Sequence, residues 1–203
     1  MKKKRFALIS VYDKIKIEKI CDLFKKNDIQ IISTGLTAKY IKKNGFKCFN
    51  VSDFTKFEEI LNGRVKTLHP LIHASLLFDR QNKKHIDKFY DLHFPIIDFV
   101  IVNLYPFEKI QKTSKYQKKN IEMIDIGGSA LLRSAAKNYQ SVTAICDSNQ
   151  YEDLITNMKN NSGKTSIKFR KDMASKVFKL TSFYDYTIFS WLKNNNDYLK
   201  IPN

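Results

Sequence analysis

The segment IIDFVIVNLY, residues 96–105, is apolar at almost every position. Successive side chains of a strand point to opposite faces, so a strand with one wet face alternates apolar and polar residues. A run without alternation reads as covered on both faces, which is the mark of a central strand in a parallel sheet. Shorter strand-like segments surround it: FALISV (6–11), IQIIST (29–34), FKCFNVSD (46–53) and SVTAIC (141–146). Helical segments lie between them. IEKICDLFKK (17–26) places Ile17, Ile20, Cys21 and Phe24 on one helical face. TAKYIKKNG (37–45) stops at Gly45, FEEILNG (57–63) reads as one or two helical turns, and GGSALLRSAAKN (127–138) and YEDLITNMKN (151–160) complete the set. Strands alternating with helices predict an α/β fold, a parallel sheet flanked by helices, over residues 1–160. NNSGK (160–164) reads as a linker. The following KFRKDMASKVFKLTSFYDYTIFSWL (168–192) has helical apolar spacing and predicts a C-terminal helical extension of one or two helices within 164–196. The apolar helix around Phe183, Tyr184, Ile188 and Trp191 is expected to face another domain or a second copy.

The net charge of +16 comes almost wholly from lysine, with only five arginines. The lysines are spread along the chain on expected solvent faces, and no recognition motif accompanies them. A solvated basic surface is the reading, not a nucleic-acid site. No apolar run approaches the roughly 20 residues that cross a bilayer. The opening MKKKRFALISVYDK has too short an apolar part for a signal peptide and no small-residue cleavage site, so it reads as the first strand of a cytoplasmic protein. Cys21, Cys48 and Cys146 form no CxxC pair and sit in apolar contexts, as reduced buried thiols do. No Cys/His cluster has metal-ligand spacing, and Pro70 separates His69 from His73.

Ligands of an open parallel sheet bind at the carboxyl ends of its strands. Four segments are expected there: Ser10-Val11-Tyr12-Asp13-Lys14, Ser33-Thr34-Gly35-Leu36-Thr37, Asn103-Leu104-Tyr105-Pro106-Phe107 and Ile124-Asp125-Ile126-Gly127-Gly128. Hydroxyls and free N–H groups at helix starts make an anion site. The stretch NGRVKTLHP (62–70) adds Arg64 and Lys66, and a guanidinium can grip phosphate through a two-pronged contact. Each of these residues also has a plainer reading. Asp125 suits a helix N-cap. Lys137 suits an ordinary exposed lysine, and Tyr105 a half-buried aromatic with a wet hydroxyl.

The segments ISVYDK, ISTGLTAKY, VSDFTKFEEILNGRVKTLHP, DFVIVNLYPFEK, NIEMIDIGGSALLRSAAKNY and YDYTIFSWL, in this order, resemble the IMP cyclohydrolase domain of the bifunctional purine biosynthesis enzyme. The resemblance runs from about residue 6 to about residue 193. It implies a methylglyoxal-synthase-like fold and closure of the purine ring of FAICAR to give IMP and water, with no cofactor and no metal. It implies a catalytic set of Lys66, Tyr105, Asp125 and Lys137. It implies substrate contacts from Ser10, Lys14, Ser33, Thr34, Gly35, Thr37, Arg64, Thr67, Asn103, Ile126 and Gly127. A homodimer is expected, with a separate formyltransferase as a possible partner, because this chain lacks the formyltransferase domain of that enzyme. The alternative is a non-catalytic, sensor-like nucleotide-binding domain of the same fold.

Three departures stand out. Tyr12 replaces a usual Ser, Leu36 a usual second Gly, and Ala74-Ser75 a usual Gly pair. Glycine at position 36 would permit a positive φ and close backbone approach to phosphate, which a residue with a Cβ resists.

Overall fold

A computed structural model of the protein describes residues 4–109 and 117–194. Strands β1 (Arg5–Val11), β2 (Ile29–Ser33), β3 (Cys48–Asn50), β4 (Ile97–Asn103) and β5 (Thr143–Ile145) form one sheet. Its order is β3-β2-β1-β4-β5, and every pair is parallel. Helices α1 (Ile17–Lys26), α2 (Gly35–Lys43), α3 (Val51–Thr55), α4 (Pro70–Leu77), α5 (Lys83–Asp91), α6 (Gln117–Glu122), α7 (Ile126–Lys137), α8 (Tyr151–Asn160) and α9 (Ile167–Asn194) complete the described chain. Residues 1–3, 110–116, 195 and 196 of the two expected regions lie outside the described residues.

The period of two in each strand divides the core into two layers. Phe6 and Leu8 of β1, Val100 and Val102 of β4 and Ala144 of β5 pack under Ile72 and Leu76 of α4, and Leu131, Leu132 and Ala135 of α7. Ala7, Ile9, Phe99, Ile101 and Ile145 point the other way, onto Ile17, Ile20, Cys21 and Phe24 of α1, Ile41 of α2, and Leu154 and Met158 of α8. The near-continuous apolar run of β4 follows from this double coverage.

The sequence reading meets four differences. The end of the expected 46–53 strand is helical from Val51 (Val51–Thr55), and the Asp53 carboxylate accepts from the Asn50 N–H at 2.8 Å to fix that helix start. FEEILNG holds only a 3-10 turn at Leu61–Gly63, because Lys56 and Leu61 are left-handed (φ 56° and 54°) and break any longer helix. Helices α4, α5 and α6 were not foreseen. The C-terminal region, expected as one or two helices, is one helix of 28 residues whose Met173, Ala174 and Val177 belong to the two core layers. Tyr184 and Trp191, expected to face outward, are buried against Phe107 of the same chain.

The sheet's amino edge explains most of the scarce arginine. The register between β1 and β4 shifts between Phe6 and Ala7, which leaves Asp98 as the extra residue of a bulge. Arg5 reaches its carboxylate at 2.9 Å and Arg80 at 2.6 Å. Arg5 also donates to the Gly163 carbonyl at 2.8 Å, which ties the expected linker to the sheet. Arg170 donates to the carbonyls of Tyr139 at 2.7 Å and Gln140 at 2.9 Å. Three of the five arginines therefore hold the end of the sheet away from the candidate site. The Ala74-Ser75 pair also has a local role: the Ser75 hydroxyl donates to the Pro95 carbonyl at 2.7 Å and accepts from the Ile97 N–H at 2.9 Å, pinning α4 to the start of β4.

Candidate functional site

The parallel sheet brings its carboxyl ends together, and the four expected segments meet there through direct contacts. Asn103 at the end of β4 accepts from the Asp13 N–H at 3.0 Å and donates to the Asp13 carbonyl at 2.8 Å. Lys14 Nζ donates to the Tyr12 carbonyl at 2.9 Å. The Tyr12 ring lies 5.0 Å from that of Tyr105, so the residue that departs from the resemblance forms an aromatic wall with a candidate catalytic one. Ser33 donates to the Ile9 carbonyl at 2.6 Å, and Thr37 to the Val11 carbonyl at 3.0 Å. These two hydroxyls lock the β2–α2 turn to β1; their side-chain bonds are structural in this state. Ser10 pairs with Val102 across the sheet, one residue before Asn103.

Gly35 supplies the left-handed turn between β2 and α2, with φ 49°. Leu36 lies inside α2, has no positive φ, and is 74% exposed. The conformational demand at this turn is therefore met by Gly35 alone, and a Cβ at position 36 points into solvent rather than into the turn. Lys66 reaches this turn from the other side: its Nζ is 3.7 Å from the point a Cβ on Gly35 would occupy and 3.3 Å from the same point on Gly63. Glu59, which the sequence reading did not single out, lies beside it, 3.6 and 3.2 Å from those two points. A cavity of about 80 Å³ opens here, lined by Ser33, Thr34, Gly35, Asn50, Ser52 and Lys66 among others. Thr67 is buried, and its Oγ1 stands 2.9 Å from where a Cβ on Gly127 would fall, so glycine at 127 lets this turn close on α7. Arg64 does not face the cavity's glycine turn in this arrangement. It is exposed and pairs with Glu122, its Nε donating to the carboxylate at 3.1 Å.

Asp125 is the N-cap of α7, and its carboxylate accepts from the Gly128 N–H at 2.7 Å. Burial raises its pKa above the ordinary value; the Gly128 bond, the nearby Lys66 charge and the Tyr105 backbone N–H act in the opposite direction. Burial, then the Asp125 charge, raises the pKa of the Tyr105 hydroxyl, which keeps its proton available. Cap and candidate base are thus compatible roles for one side chain. The Asp125 backbone N–H donates to the Tyr184 hydroxyl of α9 at 2.9 Å, a contact that sequence spacing gave no way to find. Ile126 and Gly127 open α7, with Ile126 exposed.

Lys137 is not brought to this group. It is the last residue of α7, exposed, while Asp125 caps the first turn. At 1.5 Å per residue the two lie about 18 Å apart along the helix. Among the described residues no three His, Cys, Asp or Glu side chains gather as a metal site, and no helix is long and apolar enough to cross a membrane.

The sequence matches the MGS-like domain family over residues 16–130 and the AICARFT/IMPCHase bienzyme family over residues 135–202. It is 45% identical to the bifunctional purine biosynthesis protein PurH of Clostridium beijerinckii over 93% of this chain and 38% of that protein. It is 46% identical to the PurH of Fusobacterium nucleatum over 96% of this chain and 39% of that protein. The chain thus spans less than half the length of these relatives. The crystal structure of ForH has the same fold, with a TM-score of 0.82 at 24% identity, covering 93% of this chain and 99% of that one. With its five parallel strands, its glycine turns and its Asp125-capped helix, the chain belongs to the family of MGS-like domains and corresponds to the IMP cyclohydrolase part of the AICARFT/IMPCHase bienzymes.

Proposed function

We propose that the protein is an IMP cyclohydrolase, closing FAICAR to IMP with loss of water in purine biosynthesis. The observation that carries the reading is the grouping of Asp125, Lys66 and Tyr105 at the carboxyl edge of the sheet, next to the hydroxyl- and glycine-rich β2–α2 turn. The carboxamide nitrogen must attack the formyl carbon, forming the ring C–N bond while the C=O electrons move onto the formyl oxygen. An amide nitrogen is a weak nucleophile, and Asp125 takes its proton as the bond forms. The Lys66 ammonium stabilises the developing oxyanion. The Gly128 N–H, which would otherwise serve the same purpose, is taken up by Asp125. The oxyanion needs two protons to leave as water. Tyr105, which carries one at neutral pH, gives the first, and Asp125 returns the proton it took as the second. The formamide N–H proton passes to the Tyr105 oxygen as the C=N bond forms and the C–O bond breaks. Since both reacting groups belong to one molecule, much of the acceleration comes from holding them together.

The phosphate end of the substrate goes to the β2–α2 turn, with Ser33, Thr34, Gly35 and Lys66. The Glu59 carboxylate stands in the same place, so an incoming phosphate must turn it aside; Glu59 is exposed and free to swing. Lys14, Asn103 and Thr67 border the same edge, and Arg64 can reach the ligand by leaving Glu122. Lys137 serves a site only across a subunit boundary, in a homodimer. A formyltransferase would supply FAICAR. The test is a spectrophotometric assay of purified protein with FAICAR. Formation of IMP that disappears in Lys66→Ala supports the reading. Absence of turnover with IMP still bound would instead make this a non-catalytic nucleotide-binding domain.

A further inference from the structure

Asp125 is held by more than its own cap. Its backbone N–H donates to Tyr184 Oη at 2.9 Å, and the same hydroxyl donates onward to the Met123 carbonyl at 3.2 Å. A helix N-cap N–H has no partner within its helix, so this bond is an extra constraint from a distant part of the chain. Tyr184 is buried, with its ring against Phe107 at 6.3 Å, and Phe107 in turn stacks edge-on against Trp191 at 5.4 Å. Phe107 lies two residues after Tyr105. One aromatic cluster on α9 therefore sits behind both Asp125 and the strand end that carries Tyr105.

We infer that Tyr184 is a positioning residue: its hydroxyl, by fixing the main chain at Asp125 and Met123, sets the carboxylate where the substrate's amide proton must be taken. The inference rests on the cyclohydrolase reading for its kinetic consequence, but not for its geometry. Carboxylate placement matters because reacting atoms must approach within about 3–3.5 Å, and a misplacement of about 1 Å can cost a hundredfold in rate. The hydroxyl makes two bonds on the segment that turns from α6 into α7, where the chain is otherwise fixed by the Ile124 N–H to Ile121 carbonyl bond at 3.1 Å and the Met123 N–H to Asn120 carbonyl bond at 3.0 Å. Replacing it with hydrogen leaves the ring packing intact and the Asp125 N–H without its acceptor.

The experiment is a double-mutant cycle with Tyr184→Phe and Asp125→Asn, read by FAICAR turnover and IMP affinity. Tyr184→Phe alone is expected to lower kcat about ten- to a hundredfold, with KM and the IMP dissociation constant changed less than about twofold. In the Asp125→Asn background the same change is expected to cost less than about twofold, since a residue acting through Asp125 has nothing left to position. Equal losses in both backgrounds, or a raised KM with kcat intact, would overturn the inference. Amide hydrogen exchange gives a reading that needs no turnover and no variant: the Asp125 N–H is expected to be protected in the unaltered protein, and fast exchange there would also overturn it. If the unaltered protein shows no FAICAR turnover while the Asp125 N–H is protected and loses protection in Tyr184→Phe, the cyclohydrolase reading fails and the positioning contact stands.

Discussion

Asp125 is the N-cap of α7 and, as proposed, the base, and substitution can separate the two. Asparagine caps a helix about as well as aspartate, so Asp125→Asn keeps the bond to the Gly128 N–H but cannot take a proton. FAICAR turnover is expected to fall by roughly 10²–10⁴ with IMP affinity within a few-fold of the original, as measured by steady-state kinetics and calorimetry. Asp125→Ala loses the cap as well, and about 1 kcal/mol of stability with it. The pH dependence follows from burial, which raises the Asp125 pKa above its ordinary 3.8. If Asp125 is the base it must be ionised to act, so the acid limb of the kcat/KM profile is expected above pH 3.8 and is expected to vanish in the Asn variant. Stability moves in the opposite sense: a carboxyl with a raised folded pKa favours the fold when protonated, and that contribution is lost as pH rises from 3.8 through the folded value. At this scale much of the site was legible. Hydroxyls, glycines and acids placed just after strands are gathered at one edge by parallel pairing, even though Ser33, Thr37 and Asp125 also make local structural bonds there. What could not be read was any partner distant along the chain. The Tyr184 contact to Asp125 and the Glu59 carboxylate beside Lys66 depend on how α9 and the 56–65 loop fold back, which no spacing encodes.

Among the elements, α7 shows why a helix begins with two glycines. Neither Gly127 nor Gly128 has a positive φ. A Cβ on Gly128 would lie 2.6 Å from Asp125 Oδ2 and 2.9 Å from its Cγ, inside the space the cap occupies. Alanine is the better helix former by about 1 kcal/mol, so at an open position Gly128→Ala would stabilise the protein. Here it is expected to lower the melting temperature and cut turnover at least about tenfold, because the carboxylate must leave its place. Unchanged activity with a higher melting temperature would show that the glycine is dispensable. The elements that the sequence concealed share a cause. PLIHASLL of α4 is apolar around most of its circumference and shows no helical stripe, because α4 is buried between β4 and α7. In α5 Ile86, Phe89 and Tyr90 repeat at helical spacing, but only Phe89 is buried. VSDFT follows β3 without a break, and only the Asn50–Asp53 spacing marks a helix start. The strong stripe of α1 was legible because it packs against one layer, and the unbroken apolar run of β4 because both of its faces are covered.

At the scale of the whole molecule, the outer faces of α7 and α9 expose large apolar side chains among the described residues. Ile126 is exposed on α7, and Phe183, Tyr186 and Phe189 on α9 are 55%, 65% and 55% exposed. Tyr186 and Phe189 already touch, with ring centroids 6.2 Å apart, which gives a continuous aromatic surface of the kind that marks an interaction face. The two helices run antiparallel: Asp125 meets Tyr184, and Arg133 lies over Phe178 at 5.5 Å. Lys137 lies at the far end of this same surface from Asp125. A twofold axis across such a face would carry each Lys137 toward the other subunit, which is the arrangement a homodimer needs if Lys137 is to act at Asp125 at all. Mixing the inactive variants Lys66→Ala and Lys137→Ala under conditions that let subunits exchange tests this directly. With Lys137 acting across the boundary, half of the dimers are hybrids and each hybrid has one intact site, so activity should return to about a quarter of the original. If Lys137 acted within its own chain, every site in the mixture would lack one lysine and no activity would return. If Lys137→Ala instead keeps full activity on its own, Lys137 is a surface residue and Tyr105 and Asp125 supply the protons of the departing water.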